Sequence, residues 1–76
     1  MIVGIPKEIK DNEKRVALTP FGASQLTNNG HSVLIEDNAG LGSGYTNNKY
    51  TSFGAKIVNS PKEIFDKSDL IVKVKE

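Results

Sequence analysis

The sequence predicts an α/β fold in which a mostly parallel sheet is flanked by helices. Short β-rich runs alternate with helix-start signals along the 76 residues, and this alternation is typical of strand–helix–strand units. The runs Ile2–Ile5 and Ser32–Glu36 have a single predicted helix between them, and a helical crossover joins parallel strands. The predicted order of elements is β-α-β-β-α-β or close to it.

The first helix is predicted from signals at both of its ends. Thr19 and Pro20 are an N-cap residue followed by proline at the first helical position. Residues 28–30, Asn-Asn-Gly, supply a left-handed stop, a conformation that glycine adopts without steric cost. The second strand is therefore expected to follow almost at once.

The middle of the chain is predicted to be less regular. Residues 37–48 are polar and rich in glycine, and we expect them to form a loop. Residues 49–53 are expected to form a helical turn that Gly54 closes. Residues 55–58 then form a short third strand.

A second full helix is signalled by residues 60–63, Ser-Pro-Lys-Glu. This run combines a capping serine, a proline at the first helical position and a glutamate able to reach back to the cap. The helix is short and is expected to bury Ile64 and Phe65.

The fourth strand is predicted at residues 70–74. Its unbroken apolar run at residues 70–72 indicates a strand covered on both faces of the sheet. The chain stops at Glu76, directly after this strand. We therefore expect a fragment, or one half of a larger α/β domain.

Composition argues against several classes of function. The 10 basic and 9 acidic residues are spread along the chain and give a net charge of +1, unlike the one-sided basic surface of a nucleic-acid-binding protein. Cysteine is absent, so neither a disulfide scaffold nor a cysteine-based zinc site is available. No apolar run is long enough to cross a bilayer, and no secretory signal is visible. The absence of cysteine fits a reducing cytosol, and we expect neither nucleic-acid nor membrane partners.

Arg15 is the first candidate for a functional residue. It lies in a charged loop that spans residues 6–18, whereas such connections usually have about two to six residues and longer ones are often functional. A planar guanidinium on this loop suits a carboxylate, because its paired donors can bind both oxygens. A solvated surface arginine is the alternative interpretation.

Lys73 and Lys75 are a second candidate group, at the end of the fourth strand. Alternation places both on one side of that strand. Ligands of open parallel sheets gather beyond the carboxyl ends of the strands, and the Arg15 loop leaves its strand at the same edge. Two cations that meet there would form a pocket for a small carboxylate. At least one of the lysines is expected to be a solubilising edge charge.

The glycine-rich run at residues 40–44 does not fit a dinucleotide fingerprint. The third glycine would fall at position 45, where this chain has Tyr45, and a helix should begin inside the motif. The polar residues 46–48 intervene instead. We interpret the run as a turn that keeps the backbone close to a neighbouring element.

His31 is the only histidine, and it lies between a helix-stopping glycine and a strand. One hypothesis makes it a general base; a histidine in this place more often caps a helix end, where an imidazolium meets the dipole favourably. No Ser-His-Asp set can be assembled around this histidine from the sequence, and no carboxylate–histidine spacing suggests a metal site. We expect neither in this chain.

Six segments carry a more specific pattern. They are residues 4–8 (GIPKE), 12–20 (NEKRVALTP), 30–36 (GHSVLIE), 39–44 (AGLGSG), 54–58 (GAKIV) and 69–76 (DLIVKVKE). Together they resemble the opening of alanine dehydrogenases and of the related nicotinamide nucleotide transhydrogenases. The closing KVKE and the run LGSG look more like alanine dehydrogenase. The resemblance covers the whole chain, and its arginine-bearing segment is specific to this superfamily.

The resemblance implies an activity, a fold and two site residues. Alanine dehydrogenases reversibly convert L-alanine, NAD and water to pyruvate, ammonia and NADH, and their substrate domain is Rossmann-like or flavodoxin-like. In the family, the arginine that matches Arg15 holds the substrate carboxylate. The lysine that matches Lys75 contacts the carboxylate or carbonyl oxygen, whereas the position of Lys73 is not a known substrate contact. The family is typically a homo-hexamer in the bacterial cytoplasm.

The length of the chain limits what it is expected to do. Residues 1–76 resemble only the N-terminal part of the substrate-binding domain. The family's catalytic histidine and aspartate and its whole NAD-binding domain lie beyond the residue that matches Glu76, and His31 does not match that histidine. The chain is thus expected to supply Arg15 and Lys75 for substrate binding, to supply no catalytic or cofactor-binding residue, and to be inactive alone.

Two alternatives to an alanine dehydrogenase segment stay open. The first is the corresponding segment of the alpha subunit of a proton-translocating NAD(P) transhydrogenase. The second is a stand-alone α/β module that binds an anion or a protein partner without catalysis.

Overall fold

A computed structural model describes residues 1–8 and 16–73 of the chain. Within these residues, four parallel strands form one sheet, with three helices packed against it. The strands are β1 (Ile2–Ile5), β2 (Ser32–Glu36), β3 (Lys56–Val58) and β4 (Leu70–Ile71), and the helices are α1 (Pro20–Asn28), α2 (Asn47–Ser52) and α3 (Pro61–Lys67). The predicted α/β class with a parallel sheet is confirmed.

The order of the strands in the sheet is β3-β2-β1-β4. All three pairings are parallel, with Val3 opposite both Val33 and Leu70, and Leu34 opposite Lys56. The chain therefore adds β2 and β3 on one side of β1 and then crosses to add β4 on the other side. The boundary between β1 and β4 is a topological switch point of the sheet.

Side-chain caps explain where the helices begin. At the start of each helix, the side-chain hydroxyl of the N-cap residue accepts a hydrogen bond from a backbone N–H of the first turn. The three caps are Thr19 with Gly22 N, Thr46 with Lys49 N, and Ser60 with Glu63 N. The predicted starts of α1 and α3 are confirmed. The predicted stop of α1 is confirmed too, because Gly30 has a φ of +88°.

The helix α2 was predicted with the wrong boundaries. It begins at Asn47 instead of residue 49, because the Thr46 side chain already caps it. Within the predicted loop, residues 41–43 form a single 3-10 turn. Gly54, at a φ of +98°, closes the helix region as expected.

The sheet separates two apolar clusters. The first cluster lies on the side of α1 and α2 and consists of Val3, Ile5, Ala23, Val33, Ile35, Ala39, Tyr50 and Ala55. The second lies on the side of α3 and consists of Leu34, Val58 and Ile64. Neighbouring strand residues point to opposite faces, so helices cover both faces of the sheet.

Two burial predictions were wrong. Ile64 is fully buried, but the adjacent Phe65 is 53% exposed, because consecutive helical positions do not share a face. Leu70 is 47% exposed, although a covered strand was predicted there. Among the described strands, β4 lies at the edge of the sheet, so its apolar side chains are only partly enclosed. The described strand ends at Ile71, and position 74 lies outside the described residues.

Candidate functional site

The two predicted substrate-binding residues, Arg15 and Lys75, lie outside the described residues. The structure does describe the chain on both sides of the Arg15 loop and the strand that leads to Lys75. These flanking residues show from which part of the sheet both segments leave.

β1 and β4 end side by side at the carboxyl edge of the sheet. Gly4 pairs with Ile71, and the N–H of Val72 donates to the Gly4 carbonyl at 3.0 Å. Residue 6 and residue 73 therefore follow two neighbouring strands at the same edge. This edge includes the switch point, where open α/β sheets bind their ligands.

The start of the Arg15 loop is fixed to this edge by Glu36. The backbone N–H of Lys7 donates to Glu36 Oε1 at 2.8 Å, and Glu36 is the last residue of β2. The contact holds the outgoing loop against the carboxyl end of a neighbouring strand. This contact is not predictable from the sequence, because 29 positions separate the two residues.

The end of the loop is held by apolar packing. Val16, Ala17 and Leu18 are partly buried and pack against the first cluster. Val72, which leads to Lys75 at the end of β4, packs against the same cluster. Val16, next to Arg15, and Val72, three positions before Lys75, thus pack against the same apolar cluster.

Tyr50 adds a hydrogen bond to the end of the loop. Its hydroxyl donates to the Leu18 carbonyl oxygen at 2.7 Å, and its side chain is fully buried. Burial, with a smaller contribution from Tyr45, raises the pKa of Tyr50 to about 12. The hydroxyl is therefore protonated and able to donate at physiological pH. This role of Tyr50 was not predicted; its signal in the sequence is a single aromatic residue in an otherwise polar helix, NNKYTS.

The raised pKa of Tyr50 predicts a loss of stability at alkaline pH. Its unfolded-state pKa is near 10 and its folded-state pKa is about 12, so above pH 10 the unfolded chain releases a proton that the folded chain retains. The stabilisation is complete below pH 10 and is lost as the pH rises through 12. The thermal midpoint should therefore fall more steeply between about pH 10 and pH 12 in the wild type than in Tyr50→Phe. Equal slopes would contradict the assignment.

The glycine-rich run at residues 40–44 allows the backbone to pack closely against Tyr50. Gly40 is buried, and a Cβ atom there would lie 2.6 Å from Tyr50 Cε2, so only glycine lets the turn approach the ring. Gly44 has a φ of +88°. The interpretation of the run as a turn close to a neighbouring element is confirmed. Because α2 begins only at Asn47, the run also lacks the helix start that a dinucleotide pyrophosphate requires.

His31 lies at the opposite, amino edge of the sheet, just before β2. Its backbone N–H donates to the Leu26 carbonyl at 3.0 Å and so closes α1. Its Nδ1 atom is buried without a hydrogen-bond partner among the described residues. A cleft of about 270 Å³ lies here, lined by Thr27, His31, Ser32, Val33, Gly54 and Lys56. This cleft is remote from the edge that carries the candidate site.

The described part of the chain contains neither a cluster of metal ligands nor a membrane-spanning helix. Among residues 1–8 and 16–73, no group of three or more His, Cys, Asp or Glu side chains could hold a metal ion. In the same residues, no helix has the length and apolar character needed to cross a membrane.

The strand order, the helices on both faces and the switch point define a doubly wound α/β domain, a class that binds small ligands at its carboxyl edge. Within this class, the chain belongs to the family described as "Alanine dehydrogenase/PNT, N-terminal domain", whose model matches residues 4–76. The predicted resemblance is therefore confirmed.

Individual relatives agree with this family. The chain is 59% identical over 76 residues to an alanine dehydrogenase of Bacillus subtilis (strain 168) and 51% identical to one of Methanococcus maripaludis. A solved L-alanine dehydrogenase superposes on 96% of the chain with a TM-score of 0.92 at 41% identity. A transhydrogenase from Sinorhizobium meliloti superposes on 96% of it with a TM-score of 0.87 at 34% identity.

The chain spans only part of these relatives. All of it is matched, but it covers 20% of the length of each of the two curated alanine dehydrogenases and 20% of each of the two solved chains.

Proposed function

We propose that this chain is the N-terminal part of the substrate-binding domain of an NAD-dependent alanine dehydrogenase, and that Arg15 and Lys75 bind the carboxylate end of L-alanine or pyruvate. The observation that carries the proposal is the strand order. The loop with Arg15 and the segment with Lys75 follow β1 and β4, which are the two strands that flank the switch point.

The chemistry of the two side chains suits a small 2-oxo or 2-amino acid. A guanidinium can donate two parallel N–H bonds to both oxygens of a carboxylate. An ammonium is a compact point charge with three donors, and it can bind a carboxylate oxygen or the adjacent carbonyl oxygen. Both groups bind and orient the acid, which is a positioning role. Proton and hydride transfer need groups that this chain does not supply.

The glycine-rich run at residues 40–44 does not fit the pyrophosphate of the NAD cofactor. The glycine-rich run has Tyr45 in place of the third glycine of a fingerprint, and Tyr50 occupies the space beside Gly40. The proposal therefore places NAD binding and the catalytic residues in the portion of the relatives that this chain does not cover, and the isolated chain is expected to be inactive.

Exposed apolar side chains support the proposal that the chain is part of a larger assembly. Phe21 is 66% exposed, Phe65 53% and Leu70 47%, and phenylalanine and leucine are among the residue types most often fully buried. We propose that further domains or further copies cover them in a cytoplasmic homo-oligomer, a hexamer as is typical of the family.

The test is an absorbance assay of NADH formation with L-alanine and NAD, run on the complete gene product beside the isolated 76-residue chain. The expected result is L-alanine-dependent NADH formation by the complete gene product and none by the isolated chain. Hydride exchange between nicotinamide nucleotides without any dependence on L-alanine would favour the transhydrogenase. No activity in either assay would favour a non-catalytic module.

A further inference from the structure

We infer that Tyr50 is a positioning residue for substrate binding: its hydroxyl holds the Leu18 backbone, three residues after Arg15. The inference rests on the proposed function and adds a residue to it. It starts from a hydrogen bond of 2.7 Å between two parts of the chain that are 32 positions apart.

The Leu18 carbonyl lies at the junction between the loop and α1. The backbone bonding of α1 begins with the Thr19 carbonyl, which accepts from Ala23 N at 2.9 Å. Leu18 lies one residue ahead of that first helical bond and three residues after Arg15. The backbone hydrogen bonds of α1 do not include the Leu18 carbonyl. The Tyr50 hydroxyl therefore holds the backbone at the junction between the loop and the helix.

The tyrosine is rigid enough to act as a fixed point. Its side chain has no exposed surface, and the ring of Tyr45 meets it edge to face at 6.2 Å and 77°. The Gly40 backbone lies so close that a Cβ atom there would be 2.7 Å from the tyrosine oxygen. The ring therefore has little room to rotate, and its hydroxyl stays directed at the Leu18 carbonyl.

The helix that carries Tyr50 is tied to the carboxyl end of β2. Asn47, its first residue, accepts from Asn38 N at 2.9 Å and donates to Asp37 Oδ1 at 2.6 Å. Both partners directly follow β2. A continuous series of contacts thus runs from the edge of the sheet through α2 and Tyr50 to Leu18, the segment next to Arg15.

The consequence concerns substrate binding and not the chemical step. A guanidinium that binds both oxygens of a carboxylate depends on its distance and angle, and small displacements weaken such a contact strongly. Without the hydroxyl of Tyr50, the backbone at Leu18 loses its hydrogen bond to α2 and is held only by apolar packing. The affinity for the carboxylate should fall, while the groups that transfer the proton and the hydride stay in place.

The test is Tyr50→Phe in the complete gene product, because phenylalanine keeps the ring and removes only the donor. We expect the KM for pyruvate to rise about three- to fivefold, which corresponds to one neutral hydrogen bond, with kcat and the KM for NADH within about twofold. Ile64→Val is the matched control. It loses one methylene from a fully buried side chain of the second cluster and should leave the KM for pyruvate unchanged.

The decisive measurement repeats Tyr50→Phe in an Arg15→Lys background. If Tyr50 acts through Arg15, the second substitution should raise the KM by less than about 1.5-fold there, since coupled residues are not additive. The same factor in both backgrounds, or no effect in the wild type, would overturn the inference. An Arg15→Lys variant with an unchanged KM would instead refute the proposed function, so the two failures are distinguishable.

Discussion

Replacing Arg15 by lysine in the complete gene product is expected to raise the KM for pyruvate about 10- to 100-fold, with a much smaller change in kcat. Lysine keeps the positive charge but loses the paired donors, so the carboxylate is bound through one contact instead of two. A hydrogen bond to a charged group contributes about 1.5–3 kcal/mol, and about 1.4 kcal/mol corresponds to a factor of ten. Because the lost contact binds substrate and transition state alike, the effect should appear in KM.

Two companion variants make this result specific. Lys7→Gln removes a cation from the same loop, but the contact of Lys7 with Glu36 uses its backbone N–H, so the KM for pyruvate should stay within about twofold of the wild type. Lys75→Gln removes the second proposed cation and should raise the KM for pyruvate as well. An unchanged KM in Arg15→Lys would show that the arginine does not hold the carboxylate.

Local hydrogen-bond chemistry was the part of the fold that the sequence predicted well. The starts of α1 and α3 followed from Thr19-Pro20 and Ser60-Pro61, because a cap depends on residues no more than three positions apart. The stop at Gly30 followed from the need for a positive φ. Parallel pairing of β1 and β2 followed from one intervening helix.

Contacts that join distant parts of the chain were not predictable in the same way. The exposure of Leu70 depends on the strand order, which puts β4 at the edge of the described sheet, and a continuous apolar run does not reveal that order. The hydrogen bond from Tyr50 to Leu18 bridges 32 positions. The candidate site was predicted from the resemblance and from the carboxyl-edge rule, and its role in binding stays a prediction.

Gly40→Ala is expected to lower the thermal midpoint of the complete gene product by several degrees. The added Cβ atom would lie 2.6 Å from Tyr50 Cε2 and 2.7 Å from its hydroxyl oxygen. The ring is fully buried, so relief of the clash requires a shift of the ring, which strains its bond to Leu18, or a shift of the turn. Overpacking of this kind costs about 1–3 kcal/mol, and each kcal/mol shifts the midpoint by about 2–4 °C in a domain of moderate size.

The matched control for Gly40→Ala is Gly44→Ala in the same turn. Gly44 has open space around its missing side chain and a φ of +88°, so alanine there adds backbone strain of about 1–2 kcal/mol without touching Tyr50. Both variants should therefore lose stability, but only Gly40→Ala should also raise the KM for pyruvate. A Gly40→Ala protein with an unchanged midpoint would mean that the turn has room for a side chain, and the glycine would then not be required by the tyrosine. A rise in KM for both variants would mean that the whole turn, and not the contact between Gly40 and Tyr50, supports the substrate-binding loop.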